Sequence, residues 1–550
     1  MYKGLRVLAV IPARGGSKGI PKKNLRIIAG KPLIVYVIEA AKKSKIIDKI
    51  VVSTEDEEIA DTASLWGIEV IDRPSDLADD HVTLDPVIYH AVKFLESQSE
   101  FFDLIITLQP TLPLISSKTI DKAIKMLVDG EYDCLIGVSD ATHLYWTEKN
   151  GSLYPLFKER LNRQFLDPIY KECGFFISIR NVITPNSRIG GKITVMVLPK
   201  SEAIDVDTYE DLWVVERLIK KTKIAIRIDG DYDIGLGHVY RMLSLACRLF
   251  HHEVKFFMLK NRELGIRKVK ESNFPFVLIE DNEDFLKKLT DYKPNIVIND
   301  ILDTSKDYIL MLKKLGVFVV NFEDLGEGAE YADLVFNALY ENTAPLENQY
   351  FGYRYVVLRQ DFYYYPFKQP SKDVNNILLT FGGVDQNNLT LKTLMALENI
   401  GYDKEITVVL GLGYGFYDSL INFTKKTNLN IKIFKNVRSM AKLVYNSDIA
   451  VTSKGRTIYE IASLAVPCIA IAQNEREMRH LFAEVSKGVL SLGSAYSVTV
   501  NDIAMALRRL IDDYEFRLKL HQRLKRFNLK QGINNVIDIL FEKYYGWVKS

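Results

Sequence analysis

Residues Lys223–Ala246 read KIAIRIDGDYDIGLGHVYRMLSLA. An apolar run comes first, a glycine-rich stretch with Gly230, Gly235 and Gly237 follows, and the remainder repeats apolar residues at helical spacing. A buried strand, a tight turn and an amphipathic helix in that order are the unit from which parallel α/β layers are built. Such a unit usually opens a domain, yet this one lies in mid-chain. The chain has already opened once, on Val7–Asn24, VLAVIPARGGSKGIPKKN, another apolar strand running into a glycine turn.

Working outward from that stretch, strand-like runs alternate with helical patterns almost from end to end. Toward the N-terminus the runs are Leu5–Ala13, Lys49–Thr54, Ile68–Ile71, Asp103–Pro110, Asp133–Ser139 and Lys192–Pro199, with helices expected over Pro32–Lys43, Ser117–Val128 and Thr208–Lys221. Asp140–Gly191 breaks the alternation and is read as a lid or an oligomer-contact insertion. No Gly/Ser-rich or Pro-rich linker separates Lys221 from the strand at Lys223, so the halves are expected to abut. Toward the C-terminus the alternation runs to about Phe367, QPSKDVNN interrupts it, and NILLTFGGVD at Asn376–Asp385 starts a third series. The expected divisions are 1–222, 223–370 and 371–550, all α/β.

The 550 residues exceed one ordinary core. A net charge of +2 from 72 basic and 70 acidic residues offers no broad field for nucleic acid, so any anion site must be local. The first apolar run passes straight into a loop, unlike a signal peptide, and no run approaches the roughly 20 residues of a membrane span. Cys134, Cys173, Cys247 and Cys468 stand singly, which suggests neither a disulfide framework nor a zinc site. A cytoplasmic protein is expected.

Two stretches carry anion or metal chemistry. In Ala13–Asn24 the glycines would let backbone N–H groups approach phosphate, while Arg14, Lys18, Lys22 and Lys23 supply positive charge. A purely structural turn fits those residues as well, because the order is neither GxxxxGK[ST] nor GxGxxG. Asp205 and Asp207 in AIDVDTYEDL would project from one face at strand spacing, as two hard oxygen ligands for Mg²⁺ should. Acids before a helix N-terminus are the plain alternative.

Taken together and in order, IPARGGSKGIPKKN, RPSDLADD, LQPTLPL, RIGGK and IDVDTYEDL resemble the CMP-sialic acid synthetase family of nonulosonate cytidylyltransferases, over about residues 5 to 220. The resemblance implies a Rossmann-like nucleotidyltransferase domain of glycosyltransferase-A-like type, with CTP and a nonulosonic acid as substrates and Mg²⁺ as cofactor. It assigns Arg14, Gly15, Ser17, Lys18, Lys23 and Asn24 to the nucleotide and its phosphates, with Arg14 and Lys23 catalytic. Arg73 would line the cytidine side, Gln109 would touch the sugar acid, Lys192 would join substrate binding, and Asp205 and Asp207 would hold the metal. The family commonly has LQPTSPLR where this chain places Leu112 and Ile115, and Asn-Gly where it has Cys173-Gly174. Both departures lie at the sugar-acid end. A homodimer through this domain is a further implication, as is the competing reading of a 3-deoxy-manno-octulosonate cytidylyltransferase. A sugar-1-phosphate nucleotidyltransferase, with its GxGxRL-type loop, fits less well.

The opening stretch, with its GH pair at the start of a helix, is compatible with a polar cap or with a general base. RIDGDYDIGLGHVYRMLSLA, NFEDLGEGAEYADLVFNAL, YVVLRQDF, LLTFGGVDQNNLT and SKGRTIYEIASLAVPCIAIAQNE resemble the UDP-sugar hydrolase family of pseudaminic acid synthesis, over about 223 to 530. That resemblance implies two Rossmann-type lobes of glycosyltransferase-B type and a hydrolase that needs no metal. His238 would be the base activating water, and Asp229 would orient it or touch the sugar. Gly235, Gly237, Arg241, Gly382, Gly383, Gly455, Thr457, Glu460 and Asn474 would bind the UDP-sugar. Lys454 and Arg456 replace small residues of the family pattern beside the diphosphate. A glycosyltransferase of the same fold and an inactive nucleotide-sugar module remain alternatives. The two resemblances together imply a bifunctional enzyme working on either side of a separate phosphoenolpyruvate-condensing synthase.

Overall fold

The computed structural model describes residues 2–16, 19–79, 81–231, 235–342, 344–435, 437 and 439–549. The chain forms two compact units, Met1–Lys221 and Thr222–Ser550. Both are α/β, and every strand expected from the alternation is present within two residues at each end except where the runs extend into loops.

The first unit is a seven-stranded sheet in the order Ile193–Val197, Cys134–Asp140, Tyr170–Ile179, Leu104–Leu108, Val7–Pro12, Lys49–Thr54, Glu69–Asp72. Val7–Pro12 is buried along its whole length, as a strand covered by helices on both faces must be, which is why VLAVIP reads as an unbroken apolar run. Helices Leu33–Lys42, Ser117–Asp129 and Tyr209–Ile219 occupy the predicted places. Thr208 and Asp211 form a reciprocal capping box at the start of the last of these. Asp140–Gly191 corrects the sequence reading. It contains a hairpin of Trp146–Lys149 with Ser152–Pro155, but also Tyr170–Ile179, which enters the middle of the sheet antiparallel to both of its neighbours. The segment is therefore partly core and not a peripheral insertion.

The second unit has two all-parallel sheets, the arrangement of two Rossmann-type lobes. The first runs Phe276–Ile279, Glu253–Leu259, Lys223–Ile228, Ile296–Asp300, Phe318–Phe322, Leu334–Asn337, Gln349–Phe351. The second runs Asn430–Lys435, Glu405–Leu410, Asn376–Thr380, Ile449–Ser453, Cys468–Ala472, Val489–Ser494. One boundary differs from expectation. The last helix, Gly532–Lys549, returns to the first lobe, where Ile533, Val536, Leu540 and Tyr544 join the core with Phe318, Val320 and Phe336. No helix among the described residues is long and apolar enough to cross a membrane.

Candidate functional site

In the first unit the strands Val7–Pro12, Lys49–Thr54, Glu69–Asp72 and Leu104–Leu108 are parallel, so their C-terminal ends meet at one edge of the sheet. The glycine loop hangs from that edge. Gly15 donates its N–H to Glu55 Oε1 at 2.8 Å, and Asn24 Nδ2 bonds the Arg14 carbonyl at 3.0 Å. Lys22 stands in the left-handed region at φ 51° and turns its own side chain outward to Glu58. Lys23 turns the other way. Its Nζ donates to the Val206 carbonyl at 2.9 Å and to Asp207 Oδ1 at 3.2 Å, which draws the loop onto the acidic segment 203–207. Gly19 packs there too, since a Cβ at that position would lie 3.0 Å from the Asp207 carbonyl oxygen. Ser17 and Lys18 lie outside the described residues.

The segment carrying Asp205 and Asp207 is irregular and not a strand, and the two carboxylates differ. Asp207 is 65% exposed. Asp205 Oδ1 is buried without a hydrogen-bond partner. Burial pushes the Asp205 carboxyl up, Asp207 adds to this, and Thr111 and Lys23 oppose it. A buried, unsatisfied carboxylate oxygen beside a second, exposed carboxylate fits a hard cation that keeps its remaining positions for water and phosphate oxygens. Among the described residues no group of three or more His, Cys, Asp or Glu could hold a metal, and these two carboxylates are what this segment would offer one.

Three expectations for this unit are corrected. Arg73 is buried, and its Nη2 donates to the carbonyls of Ala13 at 2.6 Å and Ser53 at 2.7 Å, so it fastens the loop to the neighbouring strand. Lys192 precedes the strand Ile193–Val197 and bonds Asp133 and the Gly130 carbonyl, at the opposite end of the sheet from the loop, because that strand runs parallel to Cys134–Asp140. Leu112 and Ile115 are buried in the main core. Gln109 does sit at the expected edge. Its N–H donates to the Gly174 carbonyl at 2.8 Å, and a Cβ on Gly174 would come within 2.6 Å of the Gln109 Cβ. The neighbouring Cys173 is buried, and burial pushes its thiol up.

In the second unit a cleft of about 390 Å³ separates the two lobes. Asp231, Gly235, Gly237, Tyr240 and Arg359 line it from one side, and Gly382, Gly383, Gly455, Thr457, Glu460 and Gln473 from the other. The glycines allow close approach: a Cβ on Gly383 would lie 3.4 Å from the Gly235 Cα across the cleft, and Gly235 and Gly382 have φ of 74° and 77°. Burial pushes the Glu460 carboxyl up, while Arg359 and Arg456 pull it down.

His238 opens the helix Gly237–Arg248 directly behind the lining residue Gly237. Its Nδ1 lies 2.5 Å from Asp300 Oδ1. Arg241, one turn on, clamps the same carboxylate through Nε at 2.6 Å and Nη2 at 2.5 Å, and reaches Glu323 through Nη1 at 3.0 Å. All four side chains are buried. Burial alone would push Asp300 up, but Arg241 and His238 outweigh it and hold the carboxyl well below its usual range. An ionised Asp300 can only accept, so Nδ1 of His238 donates to it, and Nε2 is the ring nitrogen that Asp300 does not hold.

Asp300 and Glu323 were not singled out in the sequence, although Asp300 ends a strand, in NIVIND, and Glu323 directly follows one, in VVNFED. Asp229 does not orient the histidine: it pairs with Arg227 at 2.7 Å. Asn474 caps the helix Glu475–Met478, and it is Gln473 that lines the cleft, with its Oε1 buried and unpartnered. Arg241 is a clamp on Asp300 rather than a lining residue. Lys454 is buried outside the lining, whereas Arg456 contributes to it.

Comparison with known proteins bears on both units. The model of a family described as cytidylyltransferase matches residues 8–163. A CMP-N,N'-diacetyllegionaminic acid synthase of Legionella pneumophila is 35% identical over 233 residues, which is 40% of this chain and the whole of that protein. The chain belongs to the cytidylyltransferase family. The matched residues of this cytidylyltransferase include the glycine loop, Arg73 and Gln109, and stop before Asp205 and Asp207. An uncharacterized protein of Methanocaldococcus jannaschii is 35% identical over 271 residues, 46% of this chain, and the chain spans only 56% of that relative's length. A spore coat polysaccharide biosynthesis protein of Bacillus subtilis is 26% identical over 340 residues, 58% of this chain and 98% of that protein. That alignment is longer than the first unit of the cytidylyltransferase and so extends into its second.

Proposed function

We propose that the first unit transfers a cytidylyl group from CTP to a nonulosonic acid of the legionaminic or pseudaminic kind, releasing pyrophosphate. The observation that carries this reading is Lys23, which joins the glycine loop to the Asp205/Asp207 segment and so brings a phosphate-binding turn and a carboxylate pair to one sheet edge. Gly15, Asn24 and Arg73 keep that loop in place. Lys23 and Arg14 carry the positive charge that a triphosphate needs. Gln109 stands at the same edge to receive the sugar acid. Asp205 and Asp207 would hold Mg²⁺, whose chemistry when bound is to neutralise phosphate charge. The hydroxyl of the sugar acid attacks the α-phosphorus in line, the bond to the β-phosphate breaks, and catalysis rests on positioning and electrostatics.

The second unit reads as a UDP-sugar hydrolase, favoured by the buried His238–Asp300 pair, whose histidine follows the cleft-lining Gly237 in the chain. His238 Nε2 takes a proton from water as that water attacks the anomeric carbon opposite the leaving group, and UDP departs with inversion. Asp300 fixes the ring, and Arg241 keeps Asp300 ionised. A glycosyltransferase of the same fold would use the same base on an acceptor hydroxyl. Both readings are tested with the purified protein by measuring pyrophosphate from CTP with each of several nonulosonic acids, and UDP from UDP-diacetamido-trideoxy sugars without any acceptor. Pyrophosphate with none of the acids would refute the first reading. UDP released only when an acceptor alcohol is present would replace the hydrolase with a transferase. A protein active in both assays would act on either side of a condensation with phosphoenolpyruvate made by another enzyme.

A further inference from the structure

Arg456 lies between Gly455 and Thr457, in the turn that follows the strand Ile449–Ser453 of the second lobe, and it lines the cleft. Its guanidinium does not stay with its own lobe. Nη1 donates to the Gly237 carbonyl at 2.7 Å, and Nη2 donates to the Val357 carbonyl at 2.6 Å. Gly237 is the first residue of the helix that carries His238, and Val357 belongs to the buried segment that follows the last strand of the first lobe. The planar fork of arginine holds two acceptors in fixed relation, which a lysine ammonium cannot do.

We infer that Arg456 is a positioning residue that couples occupation of the second lobe's nucleotide turn to the first turn of the helix bearing His238. The inference rests on the reading of this cleft as a UDP-sugar site. A diphosphate bound at Gly455–Thr457 would touch the same turn whose side chain pins Gly237, so a ligand held by one lobe steadies the base of the other. The charged groups acting on Arg456 are Arg241, Glu460, Asp300 and Glu323, three acids and one base. Burial pulls its guanidinium down to about 10, with Arg241 reinforcing the shift and the acids opposing it. An added anion would favour the charged fork. Coupling of this kind is reciprocal: if UDP steadies the helix start, then a ligand that steadies the helix start tightens UDP binding by the same factor.

The test uses the full chain as wild type, Arg456→Lys and Arg456→Ala, with UDP as the probe. Amide hydrogen exchange in the helix 237–248 is followed with and without UDP, UDP affinity is measured by calorimetry, and UDP release from the sugar gives kcat and KM. In the wild type UDP should slow exchange at the helix start by about tenfold or more, and in both variants this protection should be lost. Arg456→Lys, which keeps the charge, should bind UDP within the order of tenfold of wild type while kcat falls on the order of tenfold with KM little changed. Retention of the protection and of wild-type kcat in Arg456→Lys would overturn the inference and leave Arg456 as a simple counter-charge. Absence of UDP-dependent protection in the wild type would overturn it equally. If the wild type turns over no UDP-sugar, the hydrolase reading fails, yet exchange and calorimetry still decide the coupling.

Discussion

At the scale of single residues, the two sites differ in how openly the sequence declares them. Asp205, Asp207, Lys23 and His238 sit in short motifs, and it is the order of those motifs, resembling known families, that gave them roles which residue type and spacing alone left open. Asp300 and Glu323 meet His238 and Arg241 only through the fold, from 62 and 82 residues away, and no local pattern announces them. Glu323 also stands at φ 53°, a left-handed conformation that a buried, non-glycine residue adopts only when its surroundings hold it there. His238→Asn should lower UDP release by about 10² to 10⁴ and leave UDP affinity nearly unchanged, because asparagine fits the helix start but cannot take the proton. Asp300→Asn should give a loss of similar order, since the amide no longer fixes the ring with its Nε2 lone pair free. Wild-type hydrolysis in both would show that the pair is structural. In the other unit, Asp207→Asn removes an exposed carboxylate that makes one ion pair with Lys23, so folding should be unaffected. Pyrophosphate formation at limiting Mg²⁺ should fall at least about tenfold while UDP release persists, and rising Mg²⁺ should restore part of it. A variant indifferent to Mg²⁺ concentration would remove Asp207 from the metal site.

At the scale of elements, periodicity placed the strands and helices well and failed at one strand. Tyr170–Ile179 is apolar and buried over its second half but begins with exposed YKE, and it follows a hairpin with exposed Trp146, Leu153 and Tyr154. Reading it as part of an insertion was natural, because a strand that reverses direction in the middle of a parallel sheet leaves no mark in a strand-helix alternation. The same fold-level blindness put Lys192 at the substrate: motif order does not say which end of a strand a residue occupies. The reversed strand is tied down at its exit. Arg180 Nε donates to Glu96 Oε1 at 2.5 Å, joining the turn after the strand to the helix Leu84–Ser97. Arg180, with Lys93 adding to it, lowers the Glu96 carboxyl to about 2 against the opposing effect of burial. A carboxyl held below its unfolded value contributes stability that is present above about pH 4.3 and is lost as the pH falls toward the folded value. Glu96→Gln should therefore lower the thermal midpoint of residues 1–221 at pH 7, and the gap between variant and wild type should shrink steadily as the pH is taken from about 4.5 toward 2. A gap that stays constant over that range would mean the glutamate acts by packing alone.

At the scale of the whole molecule, the second strand-turn-helix opening at Lys223 marks a second folding unit with its own cores, beginning at Thr222. What the sequence did not disclose is that the end of the chain belongs to the middle of it. The pattern of Gly532–Lys549 shows an amphipathic helix but not which lobe receives its apolar face. In the structure Ile533, Val536, Leu540 and Tyr544 complete the first-lobe core, and Tyr544 and Trp547 pack edge-on against Phe318. Fully burying side chains of this size is worth about 1.5–3 kcal/mol each, so together they are comparable with the whole stability of a domain. Ending the chain at Gln531 should leave the cytidylyltransferase unit untouched, because all its cores lie within residues 1–221. The same truncation should strip protection from the strand Phe318–Phe322 in hydrogen exchange, open the first lobe to proteolysis, and abolish UDP release by removing the support under His238 and Asp300. Pyrophosphate formation from CTP measured in the same preparation supplies the control. Should the truncated chain keep both UDP release and protection of Phe318–Phe322, the returning helix would be an ornament of the first lobe, and the core of that lobe would have to be sufficient without it.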